Sequence, residues 1–313
     1  MVSLSTSLQE YNARYILNFY SMKVALFGKS FAHEHFVFFS LLVDKLEEHG
    51  CEILIWEPFY NFIKVHGNTG RQFRLLSSHD QLSAEVDYLF SIGGDGTLLD
   101  TITLVRDSGI PVVGINLGRM GFISSISRDE IIPAIIDIVN GNFRIISRSL
   151  LRLETDNQLF GDLNFAMNEL SINKKDPSSM IMLRVFVNDQ LLNSYWADGL
   201  IVATPTGSTG YSLSCNGPIL TPDSENFVIT PIAAHNLTVR PIVIPDTSTI
   251  RIRVESRDNH FLVGLDARSV TIEPGTELVI KKENFKINLL QRPNDNFFAT
   301  IRAKLLWGHD IRN

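Results

Sequence analysis

The segment Gly93-Gly94-Asp95-Gly96-Thr97, called the glycine-rich loop below, follows an apolar run and precedes a stretch with helical spacing. Because glycine has no Cβ, its backbone N–H can approach a phosphate closely, and a helix N-terminus adds partial positive charge. Asp95 should repel a phosphate unless it accepts a proton from an attacking hydroxyl or helps to hold a metal ion. A tight turn in which Asp95 or Thr97 caps the helix explains the pattern equally well.

A second segment, 198–214, begins as an apolar strand and continues as a turn dense in hydroxyl groups and glycines. Such a turn suits hydrogen bonding to a ribose or a phosphate, and Tyr211 adds an aromatic ring to it. A Ser/Thr-rich loop that caps the next helix is the alternative. The aromatic residue inside the polar run favours a ligand site.

A third candidate is the polar pair Asn168-Glu169, which interrupts an apolar run that predicts one strand over 165–172. Adjacent side chains of a strand point to opposite faces, so we expect at least one of the two to lie at an interface or pocket. An edge strand with both side chains in solvent fits the pattern as well.

Several familiar motifs are absent. Gly28-Lys29-Ser30 follows a strand as the end of a Walker A loop would, but that loop needs a glycine where Lys23 stands. His33-Glu34-His35 lacks the HExxH spacing, and neither Cys51 nor Cys215 lies in a CxxC motif. The pattern therefore identifies no metal-ligating residues, and it predicts two reduced thiols of a cytoplasmic protein.

Strand-like runs and helical periodicity alternate around the glycine-rich loop, which predicts a parallel sheet covered by helices. After a change near 142–148, apolar residues alternate with period two, which predicts antiparallel strands. The predicted strands are 23–27, 52–56, 87–92 and 111–115, then 181–187, 250–255 and 285–289. The predicted helices are 36–46, 98–107, 129–139 and 297–305.

These elements predict a Rossmann-like α/β domain followed by an all-β, sandwich-like domain of antiparallel strands. The last helix is expected to pack back on the first domain. The predicted limits are 1–21 for an N-terminal extension or a misplaced start, 22–143 for the α/β domain, 144–292 for the β-rich domain and 293–313 for the final helix.

Composition excludes some function classes. The 313 residues carry a net charge of −6, whereas a general nucleic-acid binder usually presents a basic face. The apolar stretch around Phe36 to Val43 falls far short of the roughly 20 residues that a membrane span needs. The N-terminus also lacks the basic start and apolar core of a signal peptide. We expect neither nucleic-acid nor membrane partners.

Taken together and in order, these segments resemble the NAD kinase family, and the resemblance covers most of the chain from about 23 to 308. The glycine-rich loop alone is a weak signal, because lipid kinases and phosphofructokinases carry similar loops. Five ordered blocks follow it and make the signal strong. They are Gly114–Phe122, Asn168-Glu169, Asp198–Ser214, Pro231–His235 leading to Arg240–Val243, and Phe297–Ala299 leading to Leu305–Gly308.

The resemblance implies transfer of the terminal phosphate of ATP to the 2′-hydroxyl of the adenosine ribose of NAD, which yields NADP. It implies a divalent metal ion, with Mg²⁺ expected, and a homodimer or homotetramer. Asp95 resembles the family's general base, and Gly96 lines the NAD site beside it. Asn168 and Glu169 match the pair that holds the adenosine half, and Asp198 matches an acidic contact that in some members comes from a neighbouring subunit. The loop around adenine and ribose is matched by Thr209, Gly210, Tyr211, Ser212, Leu213 and Ser214.

The sequence departs from the family pattern at several positions. Alanine is usual where Gly210 stands, a basic residue is frequent at Asp100, and Asp-Gly-Gln is frequent at Asp266-Ala267-Arg268. A basic or small residue is common at Trp196. These departures leave open the choice between NAD and NADH, but they leave the reaction type untouched. The phosphate donor could be ATP, another triphosphate or polyphosphate.

Two alternative functions stay open at this point. A lipid or sphingoid-base kinase would share only the glycine-rich loop, and it should show a means of membrane attachment. A catalytically inactive NAD-binding regulator would bind NAD without turnover. The intact Asp95 argues against the regulator.

Overall fold

A computed structural model describes residues 21–67, 70–118, 121–124, 126–176, 180–256, 260–273, 275–293 and 295–308. The predicted extension at 1–21 lies almost entirely outside the described residues, as do Arg119 and Met120 of the block at 114–122. The described part of the chain forms one eight-stranded sheet and two six-stranded sheets. None of its helices is long and apolar enough to cross a membrane.

Strands and helices alternate through the first half of the chain, as the sequence predicts. The strands are β1 (Lys23–Gly28), β2 (Glu52–Trp56), β3 (Arg74–Leu76), β4 (Tyr88–Gly93), β5 (Val112–Asn116) and β6 (Ile126–Ser127). The helices are α1 (Phe36–Glu48), α2 (Glu57–His66), α3 (His79–Glu85), α4 (Asp95–Val105) and α5 (Ile131–Val139). The short elements β3, α2 and α3 have no counterpart in the sequence prediction.

The order of parallel strands in the first sheet is β3-β2-β1-β4-β5. The chain winds outward from β1 to β3 and then returns to place β4 on the other side of β1. In open α/β sheets, ligands bind beyond the carboxyl ends of the strands at such a reversal. Lys29 and the glycine-rich loop follow the carboxyl ends of the two strands that flank it.

The second half forms a sandwich of two antiparallel sheets. Its strands are β8 (Leu151–Glu154), β9 (Phe165–Ala166), β10 (Glu169–Lys174), β11 (Ile181–Val187), β12 (Gln190–Ala197), β13 (Gly199–Ala203), β14 (Asn226–Ile232), β15 (Ile242–Pro245), β16 (Ile250–Ser256), β17 (Phe261–Leu265), β18 (Arg268–Ile272) and β19 (Glu277–Lys282). One sheet has the order β15-β14-β13-β10-β17-β18 and the other β12-β11-β16-β19-β8-β9. Alternate residues of each strand, such as Ile172, Leu183 and Ile252, are buried between the sheets. The predicted fold class is confirmed.

Two further strands complete the first sheet, one just before the sandwich strands in the sequence and one just after them. β7 (Arg144–Arg148) and β20 (Ile287–Gln291) pair with each other, and β20 pairs with β5. The predicted domain limits had counted both segments with the β-rich domain. The helix α7 (Phe297–Leu305) follows, with Asn296 capping its first turn and Lys304 lying 5.6 Å from the ring of Phe122.

The prediction of one strand over 165–172 is wrong. Phe165–Ala166 and Glu169–Lys174 belong to different sheets of the sandwich, and the chain crosses between them at Met167 and Asn168. The backbone amides at this crossing bind the Asp266 side chain, so they are not available for a strand ladder.

Candidate active site

The carboxylate of Asp95 is held by backbone amides of a neighbouring segment. Oδ2 accepts a hydrogen bond from the amide of Phe122 (2.7 Å), and Oδ1 accepts from Ile123 (3.2 Å) and Ser124 (2.9 Å). We call these three amides around Asp95 the first cradle. It fixes the side chain at the start of α4, where Asp95 is the first helical residue and half-buried.

Glycines make this close approach possible. A Cβ at Gly121 would lie 1.8 Å from Oδ1 of Asp95, and a Cβ at Gly93 would lie 2.2 Å from Oγ1 of Thr97. Gly96 is exposed, and a Cβ there would meet no atom within 4 Å. The glycine-rich loop therefore keeps one open side next to Asp95.

The first cradle also limits what Asp95 can do. A carboxylate offers about four acceptor positions, two on each oxygen. Three amides use both positions of Oδ1 and one position of Oδ2. One position on Oδ2 is left for a hydroxyl group of a ligand.

A second aspartate is held in the same manner in the sandwich. Asp266, in the turn between β17 and β18, accepts hydrogen bonds from the amides of Met167 (2.9 Å), Asn168 (2.7 Å) and Glu169 (3.2 Å). We call these three amides the second cradle. Arg268 donates to the carbonyls of Leu163 and Phe165, which lie before the crossing. One turn therefore binds the backbone both before the crossing and at it.

The second cradle brings Asn168 and Glu169 to one place. A Cβ at Gly210 would lie 3.1 Å from Oε2 of Glu169 and 3.6 Å from Nδ2 of Asn168. The expectation that the two side chains point to opposite faces is therefore wrong, because Asn168 lies before β10 rather than within it. Oδ1 of Asn168 and Oε2 of Glu169 are buried without a hydrogen-bond partner in the described residues. Both atoms can bind a ligand.

Glu169 keeps its proton to a higher pH than an ordinary carboxyl group. Burial and the nearby charge of Asp266 raise the pKa of Glu169 to about 8, and a hydrogen bond from the Tyr211 amide opposes the rise. Burial also raises the pKa of Asp266, while the second cradle and Arg268 oppose that rise. Protonated Glu169 can donate a hydrogen bond, and Asn168 can accept one.

Most hydroxyls of the segment 198–214 bind the protein itself. Oγ1 of Thr204 donates to the Met167 carbonyl, Oγ of Ser208 donates to the Pro205 carbonyl (2.7 Å), and Ser212 shares a 2.8 Å hydrogen bond with Thr230. Thr209 donates to the Thr206 carbonyl over 3.1 Å. These bonds hold the turn against Asn168, where Gly207 leaves no room for a Cβ.

The remaining residues predicted for this site differ in their exposure and in the groups near them. Tyr211 begins the short helix α6 (Tyr211–Ser214) and is 41% exposed. Burial raises the pKa of Tyr211, and the charges of Cys215, Asp198 and Glu169 raise it further. Asp198 forms a 2.7 Å ion pair with Lys174. Leu213 is half-buried and Ser214 is exposed.

A small pocket joins the two halves of the site. Phe122 and Ile123 of the first cradle line it together with Thr209 and with Phe297 of α7. The segment 122–123, whose amides hold Asp95, and the turn at 204–210 therefore face a common space. Beside that turn, Gly210 lies near the side chains of Asn168 and Glu169, and the Tyr211 amide binds Glu169. The Ser212 side chain is buried and shares a hydrogen bond with Thr230.

The sequence interpretation missed the groups that hold the site. Asp266 and Arg268 entered it only as departures from a family pattern, and the amides of the first cradle did not enter it at all. Backbone amides leave no signal in side-chain periodicity. The sequence offered the residue type of Asp266 as a sign, because an aspartate suits a turn, and the structure places it there with a φ of 53°.

The first half of the chain is an α/β sheet with a glycine-rich loop at its point of reversal. The second half is a β-sandwich with buried polar atoms that lack a partner in the described residues. This combination is typical of a nucleotide-dependent phosphotransferase. Sequence profiles identify the class more closely. The profile described as the ATP-NAD kinase N-terminal domain matches residues 42–143, and that of the ATP-NAD kinase C-terminal domain matches residues 167–291. The chain belongs to the ATP-NAD kinase family.

Individual relatives agree with this assignment. The NAD kinase of Cytophaga hutchinsonii is 43% identical over 292 residues, which cover 93% of this chain and 100% of the relative. The NAD kinase of Bacteroides fragilis is 40% identical over 291 residues. Among solved structures, yeast NADH kinase complexed with NADH has a TM-score of 0.81 at 22% identity, covering 93% of this chain and 89% of the yeast chain.

A second solved structure has the same fold. An NAD kinase from Archaeoglobus fulgidus in complex with ATP has a TM-score of 0.72 at 23% identity, over 91% of this chain and 99% of the archaeal chain. The predicted family and enzyme class, a phosphotransferase with an alcohol group as acceptor, are confirmed. Matches over both domains do not favour the lipid kinase or the inactive regulator.

Proposed function

We propose that Asp95 is the general base when the terminal phosphate of ATP is transferred to the 2′-hydroxyl of the adenosine ribose of NAD. The observation that carries this proposal is the one acceptor position left on Oδ2 of Asp95. A ribose hydroxyl bound there would be aligned by a carboxylate that cannot rotate. General-base help of this kind contributes roughly 10²–10⁴ in rate.

We further propose that the sandwich holds the adenosine half of NAD. Oδ1 of Asn168 and Oε2 of protonated Glu169 would supply an acceptor and a donor, and neither atom has another partner in the described residues. Tyr211 and Asp198 would border the base, and Gly96 and Thr209 would line the space between the domains. Gly210, Ser212, Leu213 and Ser214 complete the loop, Ser212 by holding it in place.

The expected divalent cation would depend on its substrate for most of its ligands. The described residues contain no group of three His, Cys, Asp or Glu side chains that could hold a metal ion. Mg²⁺ in kinases is usually bound together with substrate phosphates, and here those phosphates would hold it, because the one free acceptor position of Asp95 is assigned to the ribose hydroxyl. Bound Mg²⁺ would neutralise charge that develops on the transferred phosphate.

We also propose a cytoplasmic homodimer or homotetramer. Both Cys51 and Cys215 are free thiols, as expected in a reducing compartment. The edge strand β12 carries exposed Leu191 and Trp196, and Trp196 lies two residues before Asp198. Light scattering of the purified protein would measure the assembly size, and a monomer at all concentrations would contradict this part.

The test of the reaction is NADP formation from NAD, ATP and Mg²⁺ by the purified protein, with Asp95→Asn as the paired variant. We expect the wild type to make NADP and the variant to lose at least a hundredfold in kcat. The same assay with NADH and with polyphosphate defines the acceptor and the donor. A variant that changed only KM would contradict the role of Asp95.

A further inference from the structure

Lys29 stands at the reversal point of the first sheet, next to the glycine-rich loop. Gly28, its neighbour, pairs with Ile92 of β4, so Lys29 lies beside the first residue of that loop. A Cβ at Gly28 would lie 2.6 Å from the Phe59 ring, which shows how tightly this end of β1 is packed. Gly28-Lys29-Ser30 is not part of a Walker A loop, and the function proposed above assigns it no role.

The side chain of Lys29 reaches toward α4. Its Nζ lies 2.5 Å from Oδ2 of Asp100, and 58% of its side chain is exposed. Asp100 follows the glycine-rich loop by three residues, on the second turn of α4. The ammonium group is therefore held at the edge of the space beyond the carboxyl ends of β1 and β4.

We propose that Lys29 binds the phosphates of ATP from the β1 side, while the amides of the glycine-rich loop bind them from the β4 side. The proposal rests on the phosphoryl transfer described above. A lysine next to amides at a helix N-terminus is the pairing that phosphates favour, because the point charge and the helix dipole act on the same anion. Here the two parts come from different strands.

Asp100 acts as a holding residue for Lys29 before ATP binds. It holds the ammonium group of Lys29 in an ion pair at the second turn of α4. The side chain of Asp100 is 24% exposed. Solvent can therefore replace Lys29 at this carboxylate when Lys29 turns to a phosphate.

Equilibrium binding of the non-hydrolysable ATP analogue AMP-PNP with Mg²⁺, measured by calorimetry, tests this role. Losing a charge-assisted contact should weaken binding at least about tenfold in Lys29→Met, whereas Lys29→Arg should stay within about threefold of the wild type. NAD affinity should change less than twofold in both. Lys23→Met is the matched control, because Lys23 pairs with Glu52 (3.8 Å) at the opposite end of β1 and should bind AMP-PNP normally.

Asp100→Asn sharpens the test. Removing the competing carboxylate should tighten AMP-PNP binding by about two- to fivefold, the value of an exposed ion pair, and the gain should vanish in Lys29→Met/Asp100→Asn. Unchanged AMP-PNP affinity in Lys29→Met would overturn the proposal. Because binding is measured without turnover, an Asp95→Asn variant that remained active would contradict the general base and leave this result standing.

Discussion

The two cradles are the same device used in two regions of the molecule. In each, one aspartate accepts three hydrogen bonds from three consecutive backbone amides. The first cradle holds Asp95 at the start of a helix, half-buried and beside the open glycine-rich loop. The second holds Asp266 in a hairpin turn, where Arg268 supplies a compensating charge.

The difference lies in which partner the cradle serves. In the first cradle, the amides fix the carboxylate, and we propose that the carboxylate meets the ligand. In the second cradle, the carboxylate fixes the amides, and we propose that the residues that carry two of them, Asn168 and Glu169, meet the ligand. On this proposal, the same hydrogen bonds support a chemical role in one domain and a positioning role in the other.

The variant with the largest expected effect changes Asp95, and it tests whether the first cradle has a chemical role. Asp95→Asn should lower kcat at least a hundredfold, because an amide is not a base, and should lower the free energy of unfolding by about 1–3 kcal/mol, because its NH₂ cannot accept from an amide. Steady-state kinetics and urea unfolding measure the two quantities on one preparation.

Asp266→Asn is the matched variant in the other cradle, and its expected effects are reversed. It leaves amide donors unpaired and removes the charge beside Arg268, so the free energy of unfolding should fall by about 2–4 kcal/mol. The KM for NAD should rise as Asn168 and Glu169 move, while kcat falls less than tenfold. If the two variants lost kcat and stability in equal proportion, the distinction between the cradles would fail.

Much of the fold could be predicted from the sequence because side-chain periodicity reports burial. Glu52–Trp56 and Ile181–Val187 are strands with the predicted bounds, and the final helix begins at Phe297 as predicted. The glycine-rich loop was located because glycine, strand and helix signals meet there. These features depend on local pattern, which a sequence contains.

The second cradle could not be predicted, since it depends on pairing between residues about a hundred positions apart. The apolar run at 165–172 satisfies the pattern of one strand, and only the contact with Asp266 shows why it breaks at Asn168. The placement of Ile287–Gln291 in the first sheet depends likewise on a distant partner, β5. Local periodicity carries no information on either pairing.

A smaller effect concerns the charge state of Glu169. Its pKa is raised from the ordinary 4.5 to about 8, so across this range the folded chain keeps a proton that the unfolded chain releases. The free energy of unfolding should therefore fall as pH rises from 4.5 to 8, by up to about 1.4 kcal/mol per pH unit from this group. Glu169→Gln cannot titrate and should remove that part of the slope in urea unfolding between pH 5.5 and 7.5.

Glu169→Gln also tests whether the protonated form of Glu169 is the one that binds NAD. A glutamine resembles the protonated acid in shape and can donate, so NAD affinity at pH 7 should be nearly unchanged in Glu169→Gln. At pH 9 the wild type should bind NAD more weakly than at pH 7, whereas the variant should not. Equal slopes and equal pH profiles in both proteins would show that Glu169 is ionised throughout.

The smallest expected effect is at Gly210, where the family usually has alanine. A Cβ there would lie 3.1 Å from Oε2 of Glu169 and 3.2 Å from the Gly207 carbonyl, so Glu169 must move by a few tenths of an ångström. The backbone of Gly210 has φ −93° and ψ −131°. Gly210→Ala should change the KM for NAD less than about threefold and leave the melting temperature equal or slightly lower. A tenfold rise in that KM would mean that the second cradle holds Glu169 too firmly for it to move aside. Asp266 would then fix the position of its neighbours more tightly than the first cradle needs to fix Asp95.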